Sequence, residues 1–298
     1  MGREFCSTVM YTKDELEKMS ESVPFWWHSI DLGQGVVTPG FKSVAALKHE
    51  VEALRLPDLQ GKTVLDIGAY DGFFSFEAER RGAARVVALD HYAWMIDLPK
   101  AIAYWRDCNE RGIPFDPEAE ESRLHPDELP GMLAYNTAHR ALDSKVETVV
   151  EDFMETDPDK LGTFDVVLFL GVLYHMQNPL LALQRVAALT RGMAVIETEA
   201  MELPGIENRA LCEFFEGVEL NNDSSNWWAP NEKAVAGMCR AAGFSRVEVV
   251  VGSPLQSPAR KTTSARLRSS VGGVLRKVGL RQKLPEVVRY RAIVCAWK

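Results

Sequence analysis

The sequence is poor in cysteine. Five occur among 298 residues (Cys6, Cys108, Cys212, Cys239 and Cys295), an odd number, scattered and without a C-x-x-C pair. That excludes a disulfide framework and offers no zinc-binding pattern. Long apolar runs are missing as well. None reaches the roughly 18–20 residues that span a bilayer, and the first twenty residues are polar and charged rather than a leader with an apolar centre. A cytoplasmic chain with no membrane partner is the expectation. Internal repeats are absent, and the biased tract is the Ser/Thr/Arg-rich stretch at 253–270. No His/Cys cluster offers a metal site. Glu213, Glu216, Glu219 and Asp223 could hold a hard cation, but read more simply as a solvated acidic turn.

One glycine is also missing, and its absence is informative. Thr63 to Asp90 reads TVLDIGAYDGFFSFEAERRGAARVVALD: an apolar strand, a turn with Gly68 and Gly72, a helical stretch from Phe73 to Arg81, and a second strand closing on an acid. That is the layout of a nucleotide-binding βαβ unit. A dinucleotide fingerprint needs a glycine at position 70, where this chain has Tyr70. The turn suits a cofactor without a pyrophosphate, and S-adenosylmethionine fits. Its amino and carboxylate groups would lie at Asp66, Gly68, Tyr70 and Gly72. Its ribose would lie at Asp90, beside His91 and 22 residues after Gly68. Gly68 allows the backbone to come close to a ligand because it has no Cβ.

At 46% hydrophobic residues the chain can bury a sizeable core. The elements alternate as in a doubly wound α/β domain. Lys145–Val150 is expected as strand three, Asp165–Leu170 as strand four, Pro179–Leu189 as a helix and Gly192–Glu197 as strand five. Asn231–Gly243 then reads as a helix, with Arg246–Val251 and Arg291–Trp297 as the last two strands. The predicted fold is Rossmann-like, with seven mostly parallel strands and the last antiparallel. Residues 61–298 would form this domain and 1–60 a helical extension, with helices over Thr12–Ser20 and Val44–Leu54. Residues 92–144 exceed what a crossover needs. They hold nine acids and four bases between Tyr92 and Tyr135. This insert is expected as a helical lid on the cofactor side, on the reasoning that both flanking strands end there.

Charge is uneven. Residues 255–291 carry ten Lys or Arg and one acid, Glu286, which leaves −17 for the rest of a chain whose net charge is −8. Such a strip marks either a polyanion site or a solvated loop.

Several segments are more distinctive. They are Phe25-Trp26-Trp27-His28-Ser29-Ile30-Asp31 with Val37-Thr38-Pro39-Gly40, the glycine turn, Gly171-Val172-Leu173-Tyr174-His175, Glu219 through Trp228, and Arg291-Ala292-Ile293-Val294. In these the chain resembles the bacterial tRNA wobble-uridine methyl- and carboxymethyltransferases. The resemblance covers most of the chain from Phe25 onward, although the 92–144 insert is absent from the carboxymethyl branch. It implies methyl or carboxymethyl transfer. In the carboxymethyl branch a lysine ahead of a Pro-Phe pair, the GVLYH tyrosine and an arginine before the last strand hold an extra cofactor carboxylate. Tyr174 and Arg291 match; the lysine does not, since Ser22-Val23 precede Pro24-Phe25. Losing one charge-assisted bond, roughly 1.5–3 kcal/mol, points to ordinary S-adenosylmethionine.

The remaining candidates follow from position. Asp152 and Phe153 stand after strand three, where an acid meets the adenine amine and an aromatic covers the ring; a local cap is the plainer role for Asp152. Gly171, Tyr174 and His175 follow strand four at the edge where ligands collect in open α/β sheets. His175 is the first candidate base and Glu199 the second. Glu197 and Glu199 are expected to point apart, one to the site and one to solvent. Asn226, Trp227 and Trp228 suggest a wall for a planar acceptor, and Trp27 with His28 a second wall; core packing is the alternative for both. The expected function is methylation of a small molecule, on oxygen, with wobble-uridine tRNA as one alternative and a non-catalytic cofactor-binding protein as another.

Overall fold

The computed structural model describes residues 11–113, 116, 119, 123–221, 223–256 and 286–298. Cys6 and the basic stretch from Arg260 to Lys283 lie outside the described residues. The main sheet has seven strands: β1 (Thr63–Ile67), β2 (Arg85–Asp90), β3 (Glu147–Val150), β4 (Phe164–Leu170), β5 (Thr190–Glu202), β6 (Arg246–Val251) and β7 (Val288–Trp297). Their order is β6-β7-β5-β4-β1-β2-β3. The first five are parallel, and β7 lies antiparallel between β5 and β6. The strand order reverses between β1 and β4, which opens a crevice at their carboxyl ends.

The principal helices are α1 (Lys13–Glu21), α2 (Val44–Ala53), α3 (Phe73–Arg80), α4 (Leu98–Arg111), α5 (Leu133–Ala141), α6 (Pro179–Leu189) and α7 (Glu232–Ala241). Several begin where a short polar side chain can accept an otherwise unpaired first-turn N–H. Thr12 forms a reciprocal box with Glu15, and Ser43, Asn178 and Asn231 cap α2, α6 and α7. The start of α3 differs: Gly72 occupies its cap at φ +85°, and no side chain caps it.

Side-chain alternation along the strands splits the core into two layers. Val64, Val86, Ala88, Val166, Leu168 and Val195 face one side, where Leu16, Trp26, Phe76, Trp94, Tyr135 and Ala138 cover them. Leu65, Ile67, Val87, Val167, Phe169 and Ile196 face the other, under Leu183, Val186 and Val235 of α6 and α7. The N-terminal extension thus shares the sheet's own core.

Two boundaries differ from expectation for one reason. β5 runs 13 residues, past Glu197 to Glu202, and β7 begins at Val288 rather than Arg291. Parallel pairing with β4 stops at Leu170↔Glu197, but antiparallel pairing with β7 continues to Val288↔Glu202. The premise that both strands flanking the insert end on the cofactor side is corrected. β3 is parallel to β2, with Asp90 opposite Val150, so it starts at the far edge of the sheet from where β2 ends. The segment 92–144 therefore leaves from the crevice edge and returns to the opposite edge of the sheet. Its last helix, α5, buries Tyr135 and Ala138 against the sheet and is the crossover itself.

Candidate active site

The glycine turn after β1 is locked from several directions. Gly68 has φ +76°, and a Cβ built there would stand 2.5 Å from Val172 Cγ2, so the turns after β1 and β4 touch across the crevice. Tyr70, at the position of the missing glycine, still adopts φ +51°. A left-handed conformation is uncommon for a side-chain-bearing residue, and here both backbone groups are pinned. Its N–H donates to Asp90 Oδ2 at 2.9 Å, and its carbonyl accepts from Trp94 Nε1 at 2.6 Å. Asp90 Oδ1 accepts from the His91 and Ala93 amides at 2.7 and 3.1 Å. Burial pushes the Asp90 carboxyl up while these amides oppose it. His91 contributes through its backbone. Asp66, also buried, accepts from Ser75 Oγ at 2.7 Å; its carboxyl is pushed up to about 6, mainly by desolvation.

Asp71, inside the same turn, was not anticipated. Its carboxylate is 0% exposed. It accepts from the Trp27 and His28 amides at 3.1 and 2.8 Å and meets His28 Nδ1 at 2.5 Å. Nothing local in the sequence signals a partner 43 residues away. The His28 ring stacks on Phe73 at 5.3 Å and meets Phe74 edge-on. This histidine therefore staples the extension to the cofactor turn. Trp27 stacks on Phe41 at 5.2 Å and meets Tyr70 edge-on, and Phe41 is 75% exposed. The segment carrying Phe25 to Lys42 closes on itself through Phe41 N–H to the Trp26 carbonyl and Lys42 N–H to the Trp27 carbonyl, forming a flap beside the glycine turn.

Beyond β3, Asp152 is exposed and its Oδ1 accepts from the Met154 amide at 2.8 Å, a local turn. Phe153 is buried against Phe169.

The other half of the crevice is richly ionic. Gly171 has φ +72°, and a Cβ there would lie 3.6 Å from Arg291 Nη2 and 3.7 Å from the Tyr174 hydroxyl. Arg291, from β7, lies over the Tyr174 ring at 5.1 Å. It grips Glu197 with Nε and Nη2 and reaches Glu199 Oε1 with Nη1 at 3.1 Å. The expectation that Glu197 and Glu199 point apart is corrected. Residues two apart on a strand share a face, and buried Thr198 between them takes the opposite one. Burial works against the charge on the guanidinium, but Glu197 and then Tyr174 hold its proton far more firmly than usual.

His175 packs against Tyr174 at 4.2 Å between centroids. Its Nδ1 meets the Ser225 carbonyl at 3.1 Å and Ser225 Oγ at 2.9 Å, and Ser225 Oγ donates to Asp223 Oδ1 at 2.6 Å. Desolvation lowers the His175 pKa; Asp223 opposes this and Arg291 adds to it. The loop is tied down by the Trp227 amide, which donates to the Tyr174 carbonyl at 2.8 Å. Asn226 is 1% exposed, donates to the Leu220 carbonyl and has no partner for Oδ1 among the described residues. Trp227 and Trp228 flank half-exposed Phe214 at 6.3 and 5.0 Å. Sequence reasoning found Tyr174, His175 and Arg291 and missed Ser225.

Of the four acids considered for a cation, Glu213 pairs with Arg289, Glu219 bonds the Gly217 amide and Asp223 serves Ser225. Among the described residues no group of three or more His, Cys, Asp or Glu could hold a metal ion, and no helix is long and apolar enough to cross a membrane. The four described cysteines are free.

Comparison with known proteins agrees with this geometry. Residues 42–249 match a family described as methyltransferase domain. Two curated relatives are named tRNA U34 carboxymethyltransferase. The protein of Colwellia psychrerythraea is 28% identical over 66% of this chain and 49% of its own length. The protein of Pseudomonas putida is 27% identical over 73% and 56%. The chain thus spans about half the length of the curated relatives it matches. Among solved structures, the N-terminal domain of EvdMO1 with SAH bound covers 98% of this chain and 99% of itself, with a TM-score of 0.55 at 15% identity. That likeness shows the class I methyltransferase fold. The residues in and beside the glycine turn have a chemistry compatible with the same cofactor: left-handed Gly68 and Gly72, an uncapped helix start, and two buried carboxylates, Asp66 and Asp90. The chain belongs to the family of S-adenosylmethionine-dependent methyltransferase domains.

Proposed function

We propose that the chain methylates an oxygen of a small-molecule acceptor held between the Tyr174–His175 turn and the Trp227–Trp228 loop. When bound, S-adenosylmethionine supplies a methyl group on a positively charged sulfur, which keeps the electron pair as the carbon passes to the acceptor oxygen. Gly68 and Gly72 would seat its amino-acid end, Asp90 its ribose and Asp152 its adenine. His175 takes the proton that the acceptor hydroxyl must lose, and Trp227 and Trp228 orient the acceptor. Alignment of this kind is worth roughly 7–11 kcal/mol in favourable cases.

The observation that carries the small-molecule reading is the charge on the acceptor side. Among the described residues, Glu197, Glu199 and Asp223 stand there against one guanidinium, Arg291, and the nearby Arg289 is paired with Glu213. A polyphosphate backbone is repelled by such a floor, since phosphate contacts to Lys and Arg dominate nucleic-acid affinity. The names of the curated relatives favour a second reading, transfer to a tRNA wobble uridine docked through the basic strip.

The discriminating experiment measures S-adenosylhomocysteine formation with a metabolite pool and with bulk tRNA. Turnover with the pool, unaltered when Arg260, Lys261, Arg266 and Arg268 are neutralised together, is the expected result. Salt-sensitive turnover on tRNA that vanishes in that variant would reverse the assignment.

A further inference from the structure

The hydrogen bonds around His175 settle which ring nitrogen carries the proton. Ser225 Oγ donates to the Asp223 carboxylate at 2.6 Å, so toward the imidazole it can only accept. The Ser225 carbonyl, the second partner of Nδ1 at 3.1 Å, is also an acceptor. Both partners therefore require a proton on Nδ1, and the neutral ring keeps its lone pair on Nε2. Among the described residues no hydrogen bond reaches Nε2. Asp223 Oδ1 also accepts the Ser225 amide at 2.9 Å, which fixes the serine in the orientation this chain of bonds needs.

We infer that Ser225 and Asp223 are positioning residues for His175, holding its proton on Nδ1 so that Nε2 receives the proton of the acceptor hydroxyl. The inference rests on the oxygen-methylating reading above and extends it. The proton moves from the acceptor oxygen to Nε2, the resulting imidazolium is steadied by Asp223 through Ser225, and the proton then passes to solvent. The same loop carries Trp227 and Trp228, and its Trp227 amide is bonded to the Tyr174 carbonyl next to the imidazole. Docking the acceptor wall and setting the tautomer of the base are thus one structural event.

Among the described residues, the charged groups acting on the ring are Asp223 from the loop and Arg291 from β7, and they act in opposite directions: Asp223 favours the imidazolium and Arg291 disfavours it. Burial adds to the effect of Arg291 and leaves the ring neutral at pH 7, the state a base requires.

The test reads the ring directly and needs no acceptor. Full-length protein isotope-labelled at the histidine ring nitrogens is titrated by NMR, and the His175 signals among the six histidines are assigned with His175→Gln. The expected result is a protonated Nδ1 and a bare Nε2 at neutral pH, with a midpoint below that of free histidine. Asp223→Asn should move the midpoint further down, because the charge favouring the imidazolium is gone, and Ser225→Ala should do the same while the carbonyl keeps Nδ1 protonated. A wild-type ring protonated on Nε2, or a midpoint unmoved by Asp223→Asn, overturns the inference. The function reading fails separately: once an acceptor is found, full turnover in His175→Ala would show that no base is needed, whatever the tautomer.

Discussion

Replacing Asp71 with alanine tests whether the N-terminal extension belongs to the cofactor site. The carboxylate is fully buried and accepts two backbone amides, at 2.8 and 3.1 Å, as well as the bond from His28 Nδ1. Asp71→Ala strands all three donors in a site that water reaches poorly. Removing one member of a buried charged network costs about 3–5 kcal/mol. At about 2–4 °C per kcal/mol for a chain approaching this size, Tm should fall by about 6–20 °C. Asp71→Asn keeps one oxygen acceptor and the shape, and should cost about 1–3 kcal/mol. Hydrogen exchange should locate the loss. The amides of Phe41 and Lys42, bonded to the carbonyls of Trp26 and Trp27, should lose protection in Asp71→Ala before those of β4 do. Cofactor affinity should drop with them, because Tyr70 packs on Trp27 across the same junction. An alanine variant with unchanged Tm and unchanged protection in this segment would refute the staple.

Asp90→Ala should weaken S-adenosylmethionine binding by roughly 1–3 kcal/mol, about 5- to 150-fold by calorimetry; unaltered affinity would remove Asp90 from the ribose site. Gly68→Ala must place a Cβ at φ +76° and 2.5 Å from Val172 Cγ2, an overpacking and strain cost of about 2–4 kcal/mol. Adding Val172→Ala should recover the clash but not the strain, and a denaturation cycle without such coupling would contradict the contact between the turns. Asp66, with its pKa raised to about 6, binds protons more tightly folded than unfolded. Its ionisation therefore lowers stability as pH rises from about 4 through 6, and Asp66→Asn should raise stability at pH 7 by up to about 3 kcal/mol. Chemical unfolding at both pH values checks the sign. Finally, a carboxylated S-adenosylmethionine should lose to the ordinary cofactor in competition, because Arg291 is already gripped by Glu197 and Glu199.

The parts of this molecule that could be read from sequence are those fixed by neighbours along the chain. Pro179–Leu189 and Arg246–Val251 appear with the predicted bounds, because Asn178 caps the one and a run of β-branched residues makes the other. The glycine turn and the Tyr174–His175 turn were legible for the same reason: both directly follow buried strands. What escaped is set by pairings between distant segments. Asp71 looks like any polar turn residue until residue 28 lies against it. Ser225 is one of two adjacent serines until β4 brings His175 to within 2.9 Å. Strand five seemed to end at Glu197 because its further ladder bonds come from β7, almost a hundred residues away.

Arg291 shows most plainly how placement changes a residue's meaning. As a sequence feature it matched an arginine that meets a ligand carboxylate. In the folded chain its register opposite Glu199 on β5, with Glu197 on the same face, gives it two carboxylates from its own protein. A guanidinium has five donors, and three of its nitrogens are already used on these partners. The triad carries one net negative charge at the carboxyl edge, directly beside the turn that holds His175. A cationic or polyhydroxyl group gains from that field, and an added anion must displace an internal carboxylate to gain anything. Matching a residue type therefore transfers a ligand only when the pairing partners of that residue transfer with it.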